Sequence, residues 1–182
     1  MRRIILAAGL LGTAPAFAAN IPNVATFIVA LRPGEILALG KGEIVPLGGG
    51  ALQMTVQETP AELRIRLPAD ILFDFDKAVL RPSAAPALAQ AADLVRQNPA
   101  SVVTIEGHTD SKGKEDYNTR LSLRRAEAVR SYLAQAATLN PNKVKVNAYA
   151  ARRPVAPNTK PDGSDDPEGR QLNRRVEIVL AR

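Results

Sequence analysis

The sequence predicts an α/β fold of the βαβαβ type, a sheet with helices packed on one face. Three observations carry this. Short alternating or apolar runs recur at 62–67, 71–76, 102–106, 144–150 and 175–180; runs of helical spacing separate several of them; and Pro, Gly and Asn mark the joints. Strands joined through helices of this length need crossover connections, which lay the helices over the sheet.

Before these elements comes a leader. Arg2 and Arg3, the apolar run Ile4 to Leu11 and the small-residue pattern Ala16-Phe17-Ala18 describe a secretory signal peptide over residues 1–18, cleaved on export. Gly9, Gly12 and Pro15 interrupt the apolar run, which falls short of the ~20 residues of a membrane span. No Cys follows the run, so a lipid anchor is not expected. Residues 19–60 read as a small N-terminal extension of short strands, with pieces at Phe27–Leu31, Glu35–Leu39, Glu43–Leu47 and Ala51–Gln57. Gly48-Gly49-Gly50 lacks the Gly-Lys-Ser/Thr ending of a phosphate loop.

The main domain is expected over 61–182. Glu62 to Leu67 alternates, and in Ile71 to Asp76 the same period puts Ile71, Phe73 and Phe75 on one face of a strand. Pro82-Ser83 opens a helix whose Leu88, Ala91, Ala92 and Val95 share a face, and Asn98-Pro99 closes it. Val102–Glu106 is the next strand, ended by Gly107; a polar loop, His108 to Asp116, leads to a long helix from about Asn118 to Ala137. Strands follow at 144–150 and 175–180, with a Pro/Gly/Asp-rich loop from Pro154 to Asn173 between them.

Composition narrows the chemistry. The chain has 182 residues, no Cys and one His, which excludes thiol chemistry, disulfides and a Cys/His zinc site. Its 24 Lys and Arg against 18 Asp and Glu give +6, which falls to +4 once Arg2 and Arg3 leave with the leader. The charges are interleaved and the seven aromatics are not interspersed with the basic residues, so nucleic acid is not an expected partner. Asp162 to Asp166 lacks the Gly and Glu of a calcium loop. No cofactor is expected.

The long helix carries the anomaly. Leu121, Val129, Tyr132 and Leu133 mark its apolar stripe, and Arg125 falls on that stripe, four residues from both Leu121 and Val129. A guanidinium facing a sheet loses hydration, so Arg125 needs a carboxylate from the protein or from a ligand. Asn118 lies two turns earlier on the same side, and Asp110 follows a strand end, where open α/β sheets place their sites. Such a group suits a zwitterion, with its ammonium on Asp110 and its carboxylate on Arg125. A structural Asp110–Arg125 ion pair with no ligand is the alternative, and spacing leaves both open.

These residues resemble a known family. Gly107-His108-Thr109-Asp110, then Asn118-x-x-Leu121-Ser122-x-x-Arg125-Ala126-x-x-Val129-x-x-x-Leu133, is similar to the signature of the OmpA-like C-terminal domain, the peptidoglycan-binding module of Gram-negative envelope proteins. Phe73-Asp74-Phe75-Asp76 and Glu168-Gly169-Arg170-Gln171-x-Asn173-Arg174-Arg175-Val176-Glu177 extend the match. The resemblance implies a two-layer α/β sandwich with a mixed sheet that binds the diaminopimelate of the peptidoglycan stem peptide without covalent change. By the family's pattern, Asp110 and Arg125 grip its amino and carboxylate groups, and Asp76, Asn118 and Leu121 complete the pocket. Thr109 and Lys112 are further candidates beside Asp110; Lys112 stands where relatives often carry Thr. Arg174 is read as structural, and His108 as orienting the Asp110 loop. The expected role is a noncatalytic tether to the cell wall. The competing roles are a muralytic enzyme, built on Asp74 and Asp76, and a protein–protein adaptor of an envelope or secretion complex with a structural Asp110–Arg125 ion pair; the resemblance also implies a periplasmic location and an outer-membrane or secretion-system partner docking through residues 20–60.

Overall fold

A computed structural model describes residues 44–47, 54–99 and 101–182. The leader at 1–18 and the pieces at 27–31 and 35–39 lie outside the described residues.

The chain runs β1 (Ile44–Leu47), β2 (Met54–Glu58), β3 (Glu62–Pro68), α1 (Ala69–Leu72), α2 (Ala85–Gln97), β4 (Val102–His108), α3 (Glu115–Ala136), β5 (Lys145–Ala150), α4 (Pro167–Asn173) and β6 (Arg175–Ala181). One six-stranded sheet has the order β1-β2-β3-β6-β4-β5. Only β4 and β5 are parallel, joined by the crossover helix α3, so the sheet is mixed as expected. β1 and β2 continue the same sheet beyond β3.

The core lies between the sheet and its helices. Leu63, Ile65 and Leu67 of β3, Val103 and Ile105 of β4, and Val176, Ile178 and Leu180 of β6 meet Leu88, Ala91, Ala92 and Val95 of α2 and Ala126, Val129 and Leu133 of α3. The α2 stripe is the one its spacing predicts. Gly107 permits the closest helix–strand approach: a Cβ there would stand 2.1 Å from the Ser122 carbonyl oxygen, so only glycine lets α3 lie this near β4.

Two expectations fail. The strand expected over Ile71 to Asp76 is instead the single turn α1 followed by loop, with Phe73 making one bridge to Leu80. Leu72 and Phe73, adjacent in sequence, are both buried, whereas Phe75 is 98% exposed. A two-residue period cannot place them so. The expected loop from Pro154 to Asn173 contains α4, for which Asp166 is the N-cap, accepting from the Gly169 amide at 3.0 Å, with Pro167 in the first turn. The long helix also begins earlier than expected, with Glu115 and Asp116 in its first turn, where acidic side chains complement the helix dipole.

Candidate functional site

The carboxyl end of β4, the first half of α3 and the segment between β3 and α2 meet at one corner of the sandwich. β4 delivers Thr109 and Asp110. The Thr109 amide donates to the Ala150 carbonyl (2.9 Å), tying this loop to the end of β5, and its Oγ1 donates to the Asp110 carbonyl (3.0 Å). The register slips by one residue there, His108 opposing Ala150 while Gly107 opposes Ala148, and Ala150 adopts φ 48°. α3 then presents Asn118, Leu121 and Arg125 on its buried face, with Arg120 and Arg124 exposed, as the spacing predicts.

Arg125 is 6% exposed. Its Nε donates to the Lys77 carbonyl (2.9 Å) and its guanidinium lies over the Phe73 ring, 5.1 Å from the centroid. Its terminal nitrogens donate to no protein group, and no carboxylate stands within 4.0 Å, among the described residues. Burial accordingly pushes its pKa down, against the attraction of Asp70 and Asp76. The Asp110–Arg125 ion pair, the alternative raised by the sequence, is therefore not formed.

Asp110, 7% exposed, is held elsewhere. Its Oδ1 accepts from the Lys112 amide (3.0 Å), and its Oδ2 accepts from Arg174 Nη1 (3.0 Å) and Arg170 Nη1 (3.4 Å). Arg174 also grips Asp70, and Arg170 grips Asp165. Arg174, read from the sequence as structural, makes ion pairs within the protein, to Asp70 and directly to Asp110. Of the other candidates, the Asn118 side chain donates from Nδ2 to the Lys112 carbonyl (2.8 Å) and so holds the loop closed. Leu121 is buried beside them. Asp76 is exposed, at φ 61°, and accepts from the Tyr117 hydroxyl. The Lys112 ammonium turns outward to Asp165 (3.2 Å). A cleft of about 230 Å³, lined by Ser111, Gly113, Glu115, Asn118, Ala150 and Arg152, adjoins Asn118.

His108 does not orient the Asp110 loop. It is 1% exposed, stacks on Tyr149 with ring centroids 5.4 Å apart, and neither ring nitrogen has a hydrogen-bond partner. Burial, with Arg175 and Arg153 nearby, pushes its pKa down to about 3. His108, Glu106 and Glu177 converge closely enough for one cation, but Arg64 Nη1 already bridges the two carboxylates, and Arg66 and Arg175 add further positive charge.

A model of the OmpA family matches residues 72–166. The chain belongs to the OmpA family. Outer membrane porin F of Pseudomonas aeruginosa is 40% identical over 116 residues, 64% of this chain and 31% of that protein. The peptidoglycan-associated lipoprotein of Brucella melitensis is 37% identical over 86 residues, 47% of this chain and 51% of that one. Among solved structures, the cell wall anchor of the T6SS from Pseudomonas aeruginosa aligns with 70% of this chain and 87% of its own, at 26% identity and a TM-score of 0.60. The chain spans between 15% and 63% of the length of the curated relatives it matches. The OmpA-family match takes in Asp76, Asp110, Asn118, Leu121 and Arg125 and leaves out Asp70, Arg170 and Arg174. Among the described residues no helix is long and apolar enough to cross a membrane.

Proposed function

We propose that this OmpA-family chain is a noncatalytic module that holds its own protein, or a partner, to the cell wall from the periplasm by gripping the diaminopimelate of the peptidoglycan stem peptide. One observation carries the reading: a buried arginine on the apolar stripe of α3 finds no partner for its terminal nitrogens among the described residues, at the corner that also holds Asp110. Those nitrogens are not fully enclosed, so a ligand carboxylate can reach them and make the charge-assisted bonds the protein leaves unmade. Diaminopimelate carries that carboxylate beside an ammonium group. In this reading Arg125 takes the carboxylate, Asp110 the ammonium, Asn118 fixes the loop, and Leu121 and Asp76 bound the pocket, with Thr109 holding the Asp110 carbonyl and the Lys112 amide its carboxylate. The relatives described as a cell wall anchor and a peptidoglycan-associated lipoprotein favour the same ligand class.

A muralytic role has little support. Asp74 is exposed and paired with Lys77 (3.1 Å) and Arg81 (3.6 Å), and Asp76 is exposed and bonded by Tyr117, so neither is the buried acid that glycoside cleavage uses.

The test is sedimentation of the full chain with insoluble diaminopimelate-type wall sacculi. The wild type should pellet; Asp110→Ala and Arg125→Ala should stay in the supernatant with unchanged circular dichroism. Pelleting by a folded Asp110→Ala/Arg125→Ala chain would sink the reading, and release of soluble muropeptides would show an enzyme instead.

A further inference from the structure

We propose that Arg174 is a positioning residue that keeps Arg125 open to a ligand by sequestering Asp70. The inference rests on the wall-binding reading above and names a device that makes that site work.

Asp70 and Arg174 are 104 residues apart, and the sheet brings them together. β3 ends at Pro68, which pairs with Arg175 at the start of β6, and the Ala69 amide donates to the Arg174 carbonyl (2.9 Å). The two side chains therefore start close together, just beyond the paired ends of β3 and β6. Arg174 holds the Asp70 carboxylate on both oxygens, Nε to Oδ1 at 3.3 Å and Nη2 to Oδ2 at 2.9 Å, and Gln171 Nε2 adds a third bond at 3.3 Å. Three of the roughly four acceptor positions of that carboxylate are then filled, so a second arginine cannot fork it.

That matters because Asp70 sits in the turn α1 directly before Phe73, whose ring carries the Arg125 guanidinium at 5.1 Å, and its charge attracts that guanidinium. Freed from Arg174, the Asp70 carboxylate would be free to turn toward Arg125's unpaired nitrogens. The resulting internal ion pair would compete directly with an incoming carboxylate. Arg174 thus sets a choice between two partners for one arginine, keeping the protein's own carboxylate occupied. Its remaining nitrogen, Nη1, lies on Asp110 Oδ2 at 3.0 Å, so the same side chain ties both acidic residues of the corner to one support. The bidentate hold does not depend on the Asp110 bond, so an ammonium group can displace Nη1 while Asp70 stays locked.

The experiment is a sacculus-binding isotherm with the full chain, its fold checked by thermal melting. Arg174→Ala should weaken binding roughly tenfold, and adding Asp70→Asn to it should bring binding back to within about threefold of wild type, because the competitor has lost its charge. A residue needed only for stability would show no such recovery, since the second substitution restores no contact. Arg174→Lys, whose point charge cannot fork both oxygens, should bind at an intermediate level and serves if Arg174→Ala does not fold. Wild-type binding by folded Arg174→Ala or Arg174→Lys, or a double variant as weak as Arg174→Ala, would overturn the proposal while leaving the wall-binding site standing. Wild-type binding by Arg125→Ala would bring down both.

Discussion

Two buried charge clusters lie on opposite sides of the same sheet, and they differ in what they leave unpaired. On the open face, away from the helices, Glu177 accepts from Arg175 Nε (2.6 Å), Arg66 Nε (2.8 Å) and Arg64 Nη1, and Arg64 reaches on to Glu106 (3.1 Å). These arginines are spent on the protein's own acids. The result is a Glu177 held down to a pKa of about 2 by Arg175 and Arg64 against its own burial. At the corner of the helical side, Asp110 is equally buried, yet the arginine on the neighbouring helix is not spent on it. A cluster whose charges close on one another stabilises a fold, whereas one that leaves a buried guanidinium open asks for a ligand.

If this distinction is right, the open-face cluster should dominate stability. Glu177→Gln leaves Arg175 and its neighbours without their shared carboxylate and should cost about 3–5 kcal/mol in urea unfolding. The folded fraction should still pellet with sacculi. A cost below about 1 kcal/mol would mean that solvent already screens the cluster.

Acid should attack the same face next. His108 has a folded pKa near 3, below the unfolded value of about 6.5, so the unfolded chain binds more protons between those values and stability falls as pH is lowered through that window. The slope approaches about 1.4 kcal/mol per pH unit. Glu177 joins only below its ordinary value of 4.5 and loses its contribution as pH falls toward 2. Between pH 6.5 and 4.5, therefore, His108→Phe, which keeps a ring against Tyr149 but takes no proton, should flatten the stability profile measured by denaturant midpoints. A profile as steep as the wild type's would assign the loss to another group.

The smallest effects on stability are expected at the helical corner. Arg125→Met gives up one hydrogen bond to Lys77 and removes a desolvated charge, so its unfolding free energy should stay within about 1 kcal/mol of wild type while wall binding is lost. Arg124→Ala, on the exposed side of the same helix, should change neither. Arg125→Met destabilised as much as Glu177→Gln would erase the contrast between the two clusters.

How far the sequence showed this contrast depended on whether the signal was local. Arg125 stood out because a charge on an apolar stripe breaks the pattern of its own helix, and Asn118 and Leu121 followed from the same period. α2, β4, α3 and β6 were visible for similar reasons. The single turn α1 was misread because Ile71, Phe73 and Phe75 alternate as a strand would, and nothing local shows that the chain turns after Pro68 and sends Phe75 into solvent. α4 had a readable cap in Asp166-Pro167-Glu168, hidden by the polar loop around it. Asp70 and Arg174 were out of reach, since their meeting depends on β3 pairing with β6, a register that 104 residues of intervening chain do not encode locally. The open-face lattice was hidden differently. Arg64, Arg66 and Glu177 alternate with apolar residues as solvent-facing positions do, and the depth to which long side chains bury one another emerges only with three strands side by side.

The strand order also has a mechanical consequence for any chain that grips the wall and carries load. β1 is at the sheet's edge and pairs with β2 through four residue pairs, so tension entering there can unzip a short ladder one step at a time. The proposed grip hangs on β4, which leads into Asp110, on α3, which carries Arg125, and on Arg174 at the start of β6, and β6 is laced to β3 by seven pairs on one side and to β4 by six on the other. Force would thus be absorbed by peeling at the periphery well before it could distort the fingers that hold the ligand.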